Sequence, residues 1–311
     1  MVSITVSGKN PMNKSACRGR FAPTPSGFLH FGSLVAALGS YLDARAHGGE
    51  WLLRIEDVDH ARSRPEYTRA ILDALAAHGM TGDTPVRIQS AHEKDYEDAL
   101  GRLLPHLYPC NCSRKHWHAQ ARDGLLGKIY PGICRSKTLS FPLPPDTAIR
   151  LRLPAQTLSF ADRHFGLQTY DLQNDIGDPI LRRRDGDYAY ALAVTVDDAL
   201  QGITDVVRGA DLLAATPIQQ HLQTLLGYPP LRYLHLPLVL DSNGNKFSKQ
   251  NHAPALDNGH AAANLLAALD FLGQDSSGLL ASDSPAHILE QATQRWDILR
   301  LGKNRIFYNI P

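Results

Sequence analysis

Apolar residues at 34, 35, 38, 41 and 42 recur at helical spacing, with Ser33 suited to the helix start and Gly48 to its stop. Ahead of that helix lie a short apolar stretch, Arg20-Phe21-Ala22, and a loop of Pro23, Thr24, Pro25, Ser26 and Gly27. Behind it, Trp51 to Ile55 reads as a buried strand. Strand, glycine-bearing loop, helix, strand opens a doubly wound α/β fold. The pattern then predicts helices at 66–78 and 92–104 and a strand near 86–89.

The character changes near residue 108, where the chain becomes rich in cysteine and histidine and loses its periodicity. Between 139 and 171, strand-like pieces alternate with proline and aspartate turns. The α/β pattern resumes after Ile180 and predicts a strand at Ile203–Val207, a helix at 211–226 and a strand at Leu234–Leu240. Helices are expected at 260–272 and 285–300. The implied layout is a flexible lead-in (1–17), the first half of a Rossmann-type domain (18–105), an inserted α+β subdomain (106–178), the second half (179–245), and a lysine-bearing loop with a small helical subdomain (246–311).

Composition narrows the picture. The 311 residues carry 32 basic and 31 acidic side chains, a net charge of +1, which excludes a polybasic chain held to nucleic acid by bulk charge. Apolar residues make up 43 % and charged residues 20 %, as in globular proteins. No apolar run is long enough to span a membrane, and the first twenty residues lack the apolar core of a secretory signal. Four cysteines are too few for a disulfide scaffold, and three of them (Cys110, Cys112, Cys134) cluster. A reduced, cytoplasmic protein with a metal site is expected.

Two short motifs carry candidate chemistry. His30, Gly32 and Ser33 stand at a helix N-terminus, where backbone N–H groups and the helix dipole favour phosphate; Gly32 lets a nucleotide approach the backbone. Far downstream, Lys246-Phe247-Ser248-Lys249-Gln250 follows Asn243-Gly244. A flexible lysine pair there could neutralise charge that develops during phosphoryl transfer. Either motif alone is more often a capped turn or a solvated charged loop.

Together, Pro23-x-Pro-Ser-Gly-x-Leu-His-x-Gly-Ser and Lys-Phe-Ser-Lys-Gln resemble the paired signatures of the class I aminoacyl-tRNA synthetases. The resemblance is strongest to the glutamyl branch, through Arg20-Phe-Ala-Pro-Thr-Pro-Ser-Gly, Arg54-Ile-Glu-Asp-Val-Asp59, Val196-Asp-Asp198 and Val207-Arg-Gly-Ala-Asp211. It covers roughly residues 18–255. It implies ATP contacts at His30, Gly32, Ser33, Lys246, Ser248 and Lys249, with His30 and Lys249 catalytic. It implies glutamate contacts at Arg20, Ala22, Thr24, Glu56, Tyr190 and Arg208. Guanidinium groups pair a carboxylate in a way that lysine cannot imitate, which favours glutamate over glutamine. Tyr188, two residues away, competes with Tyr190, and Val194 stands where the branch often has asparagine.

Three thiols leave a tetrahedral zinc ion one ligand short. From the residues alone, His116 or His118 would complete the set. The resemblance implies Tyr130 instead, in Tyr130-Pro-Gly-Ile-Cys134, around one structural zinc. Magnesium is implied with ATP. Beyond Gln250 the chain has no room for the large anticodon-binding region of a full glutamyl enzyme, and a body with a radius of gyration of roughly 20 Å cannot span a whole tRNA. The shortened pattern resembles a subgroup implied to activate glutamate without tRNA and then attach it to queuosine in the anticodon stem-loop of tRNA(Asp), acting as a monomer. The competing readings are a truncated enzyme that charges a tRNA 3′ end, an inactive RNA-binding relative, and a nucleotidyl transferase making a small cofactor.

Overall fold

The computed structural model describes residues 17–240, 254–302 and the backbone of 305–306. Strands β1 (Arg18–Phe21), β2 (Glu50–Ile55) and β3 (Arg87–Ile88) pair in parallel in the order β1-β2-β3. Helices α1 (Phe31–Ala46), α2 (Pro65–Ala77) and α3 (Glu93–Arg102) alternate with them, as the periodicity predicts. Cys17, expected in the lead-in, is buried, and its carbonyl accepts from the Glu50 N–H at 3.0 Å.

The segment after α3 contributes to three sheets. Strands β4 (Leu107–Cys110), β7 (Ala148–Leu151) and β10 (Ile180–Arg182) form an antiparallel sheet in the order β10-β7-β4. Between β4 and β7 lie the short helix α4 (Arg114–His118) and the hairpin β5 (Arg122–Gly124) and β6 (Gly127–Ile129). The hairpin β8 (Thr157–Asp162) and β9 (Gly166–Asp171) joins a different partner. It adds to β12 (Arg232–Leu236), which pairs in parallel with β11 (Asp205–Gly209). The N–H of Thr204, just before β11, donates to the Arg18 carbonyl at 3.0 Å, so β11 begins beside β1.

Helices α5 (Tyr190–Leu200) and α6 (Thr216–Leu226) flank β11 in sequence. The helix expected from 211 starts as a 3₁₀ turn over Ala210–Ala215, because Pro217 has no N–H to give an interior helical bond and suits a first turn. The strand expected over 234–240 is likewise broken at Pro237, resuming as β13 (Val239–Leu240), which pairs with β14 (Arg305–Ile306). Helices α7 (Ala261–Phe271) and α8 (Pro285–Gln294) follow. The expected extension of α8 to 300 fails because the chain turns there, and Trp296 Nε1 donates to the buried carboxylate of Asp43 at 3.1 Å.

Two large cores, with two smaller clusters beside them, hold the described residues together. One gathers Leu34, Leu38, Trp51, Ile71, Val207 and Leu236 around α1, with Leu265, Phe271 and Leu289 from the C-terminal helices. A Cβ on Gly39 would stand 2.6 Å from Leu236 Cδ1, so α1 lies close over β12 and a larger residue there would have to displace the Leu236 side chain. The second core joins Tyr96, Leu100, Ile149, Leu151, Leu192, Val196 and Leu222. No helix among the described residues is long and apolar enough to cross a membrane.

Candidate active site

Open parallel sheets leave a crevice at the carboxyl ends of neighbouring strands whose connections run in opposite directions. Strands β1 and β11 are such a pair, and a cleft of about 600 Å³ opens at their carboxyl ends. That volume is in the range of small-molecule sites, roughly 300–1,000 Å³. Arg20, Ala22 and Thr24 reach it from β1 and its loop, His30, Gly32 and Ser33 from the start of α1, Tyr190 from α5, and Arg208 from β11. Eight of the proposed contact residues, scattered over the sequence, thus share one wall. Glu56 lines a smaller adjoining hollow, with Thr24 and Tyr190 between the two.

The polar groups of the cleft are held from behind. Arg208 is 5 % exposed; its Nη1 donates to Tyr190 Oη at 3.3 Å and its Nη2 to Thr216 Oγ1 at 2.9 Å. Tyr188 packs its ring against Tyr96, with centroids 5.4 Å apart, and lines only the smaller hollow beside Glu56, whereas Tyr190 also lines the cleft and meets Arg208. Val194 is buried in α5, where its side chain offers no hydrogen-bonding group.

Arg20 is not a lone cation. Its Nε and Nη2 donate to the two oxygens of Asp198, at 3.1 and 3.3 Å. Asp198 also pairs with Arg54 Nη1 at 2.9 Å, and Arg54 Nη2 donates to Glu56 at 3.3 Å. Arg54 has no exposed surface, so its three neighbouring carboxylates, those of Glu56, Asp197 and Asp198, are what make its burial tolerable. Burial pushes the Glu56 carboxyl up to about 7, against the pull of Arg54 and Arg20. A carboxylate balanced in this way can receive an ammonium group and is lost to protonation just below neutrality.

His30 caps α1: its Nδ1 accepts from the Ser33 N–H at 3.3 Å. An accepting Nδ1 assigns the ring proton of the neutral imidazole to Nε2, a donor suited to phosphate oxygen. Lys246, Ser248 and Lys249 lie outside the described residues. The chain on either side is described. Val239 lines the cleft, and Leu256 donates its N–H to the carbonyl of Leu29, next to His30, at 2.9 Å.

The cysteines form a second constellation about β4. The sulfurs of Cys110, Cys112 and Cys134 lie within 4.8 Å of one another. Tyr130 Oη is 3.4 Å from Cys112 Sγ and accepts the Cys134 N–H at 2.9 Å. Neither His116 nor His118 joins the thiol group. Three soft thiols and a phenol oxygen around one point suit a tetrahedral zinc ion better than a hard cation such as magnesium. The Arg150 guanidinium covers the Tyr130 ring at 4.0 Å and fixes its plane.

Sequence reasoning missed the partners that hold these side chains, Asp198 for Arg20 and Thr216 for Arg208. The adjacent acidic pair Asp197-Asp198 inside an apolar helix was the available signal, since paired carboxylates on a buried face require buried cations.

Residues 16–264 match the family described as tRNA synthetases class I (E and Q), catalytic domain. Relatives named glutamyl-Q tRNA(Asp) synthetase, from Ectopseudomonas mendocina (strain ymp) and Pseudomonas putida (strain W619), are 48 % and 47 % identical to this chain. Each match covers 92 % of this chain, and 95 % and 94 % of the relatives. Two crystal structures share the fold: a glutamate tRNA ligase from Elizabethkingia meningosepticum (TM-score 0.73, 24 % identity) and a glutamate-tRNA synthetase from Elizabethkingia anophelis (0.75, 23 %). The similarity covers 93 % and 94 % of this chain but only 66 % and 68 % of theirs. With its cleft at the β1–β11 crevice, the chain belongs to the class I (E and Q) tRNA synthetases and, within them, to the group of the glutamyl-Q tRNA(Asp) synthetases.

Proposed function

We propose that this ATP-dependent ligase activates glutamate as glutamyl-adenylate without tRNA and transfers it to queuosine in the anticodon loop of tRNA(Asp). The observation that carries the reading is the convergence of a buried arginine, Arg208, and a helix start, His30 to Ser33, on one cleft; an arginine there suits a carboxylate and a helix N-terminus suits phosphate. Relatives similar over nearly their whole length bear the name glutamyl-Q tRNA(Asp) synthetase, which supports the acceptor.

Glutamate binds with its carboxylates toward Arg208 and Arg20, its ammonium toward Glu56, and its polar atoms against Tyr190, Ala22 and Thr24. ATP enters over Gly32 and Ser33. A carboxylate oxygen of glutamate attacks the α-phosphorus, the bond to the β-phosphate oxygen breaks, and pyrophosphate leaves. His30 Nε2–H and Lys249 meet the charge that develops, with Lys246 and Ser248 on the outer phosphates and Mg²⁺ bound to ATP. Of the described residues that flank that segment, Val239 lines the cleft and Leu256 donates its N–H to the carbonyl of Leu29, next to His30. A queuosine hydroxyl then attacks the glutamyl carbonyl and AMP departs.

Cys110, Cys112, Cys134 and Tyr130 would hold one zinc ion, which supplies a rigid node to a loop-rich segment. The subdomain reading follows: a doubly wound catalytic body, an inserted zinc-bearing α+β part that receives RNA, and a C-terminal helical part. ATP and tRNA are cytoplasmic, which puts the reaction there. The test is ATP–pyrophosphate exchange with glutamate and no RNA. Glutamate-dependent exchange is expected; none without added tRNA contradicts RNA-independent activation, and exchange with glutamine in place of glutamate contradicts the amino acid.

A further inference from the structure

The donors of Arg208 divide into two sets. Nη1 points with Tyr190 to the cleft, while Nε and Nη2 are taken by protein groups behind it. Nε donates to His235 Nε2 at 3.1 Å. His235 is fully buried on β12, directly beside Arg208 in the strand register. Its other nitrogen, Nδ1, stands 2.7 Å from Asp162 Oδ2, and its backbone N–H donates to the same oxygen at 3.1 Å. The second oxygen, Asp162 Oδ1, accepts the N–H groups of His164 and Phe165 at 3.0 and 2.8 Å.

The polarity of this chain is forced. Backbone N–H groups bond to both oxygens of Asp162, so the carboxylate acts as acceptor and His235 must place its proton on Nδ1. A neutral ring with Nδ1–H has its lone pair on Nε2, and an arginine can only donate to it. Moving the proton to Nε2 would set two N–H groups head to head and cost Arg208 the rear anchor at its Nε, leaving only that at Nη2. Burial pushes the imidazole to lower basicity, and Arg208 adds to this against Asp162 and Asp211, which keeps the ring neutral. Tyr233 stacks parallel to the imidazole with centroids 6.2 Å apart and lies under the guanidinium at 5.5 Å, closing the remaining side.

We propose that Asp162 and His235 are positioning residues that lock the Arg208 guanidinium in the plane needed for a substrate carboxylate, so that the β8–β9 hairpin, distant in sequence, sets glutamate affinity. This inference rests on the glutamate-binding role of Arg208. Small misplacement of a binding group costs up to ~100-fold, so the effect should be large.

The test compares two substitutions in ATP–pyrophosphate exchange. His235→Asn retains a donor to Asp162 but is too short to reach Arg208; His235→Gln places an amide oxygen where Nε2 stood. The Asn variant should raise the glutamate KM by ~10- to 100-fold with the ATP KM little changed, and the Gln variant should recover most of that loss. Glutamate KM values within twofold of wild type in both variants overturn the inference, as does an equal rise in the ATP KM. Should the Asn variant not fold, ¹⁵N NMR of the wild-type imidazole decides: a bare Nε2 supports the relay and a protonated one overturns it. Arg208→Ala separates the two levels. If it leaves the glutamate KM unchanged, the glutamate reading itself fails; if it raises that KM while both His235 variants do not, only the relay fails.

Discussion

Glu56 has to be ionised to hold an ammonium group, and its carboxyl titrates at about 7 because burial outweighs the help of Arg54 and Arg20. The glutamate KM should therefore climb by about tenfold per pH unit below that point. In Glu56→Gln it should be high and flat with pH; a wild-type KM that is unchanged on acidification contradicts this role. The stability contribution has the opposite sign. Because the folded state holds the Glu56 proton more tightly than the unfolded chain, this residue favours folding more as the pH falls from 7 towards the ordinary carboxylate range. The grouping of these residues, though not their roles, was partly legible in sequence. The family resemblance singled out Arg20, Glu56, Tyr190 and Arg208, and they line one cleft and the hollow that adjoins it. What sequence could not supply was pairing across the fold. Nothing local to Arg20 names Asp198 as its acceptor, because the partner is chosen by how α5 packs on β1.

Elements meet through buried charge as well as apolar contact. Arg54 on β2 faces Asp197 and Asp198 on α5, with Arg87 and Gln89 also bound to Asp197 at 2.7 Å each. Breaking a buried ion pair on one side leaves an unpaired charge, which costs roughly 3–5 kcal/mol. Arg54→Ala should lose stability of that order in denaturant unfolding, and a loss below about 1 kcal/mol would show that the network is not what joins the elements. The cysteine segment makes a separate prediction. Cys134→Ser should lower bound zinc below one equivalent and weaken transfer to RNA, yet leave glutamate–ATP exchange largely intact; an equal loss of both activities would tie the metal to the cleft instead. Helix and strand periodicity was readable at this scale because amphipathic faces repeat locally. The breaks at Pro217 and Pro237 were also written in the residues, whereas the union of β8 with β12 was not, since a single parallel pairing at Tyr233 and Asp162 leaves no periodic trace.

For the molecule as a whole, the α1-centred core joins the C-terminal helices to the sheet whose strand ends and first helix line the cleft. Lys249→Ala should reduce adenylate formation by orders of magnitude and leave glutamate binding nearly unchanged, as judged by exchange kinetics beside calorimetry; equal loss of both contradicts a role in the transition state. The small net charge of +1 gives little general attraction for RNA, so recognition has to come from fitted contacts rather than from a basic surface. The most direct measurement supplies labelled glutamate and ATP to tRNA(Asp) with and without queuosine, then digests the RNA to locate the label. Label confined to the queuosine-bearing anticodon fragment is the result expected here, and label on the 3′-terminal adenosine, or equal labelling of tRNA lacking queuosine, would contradict it.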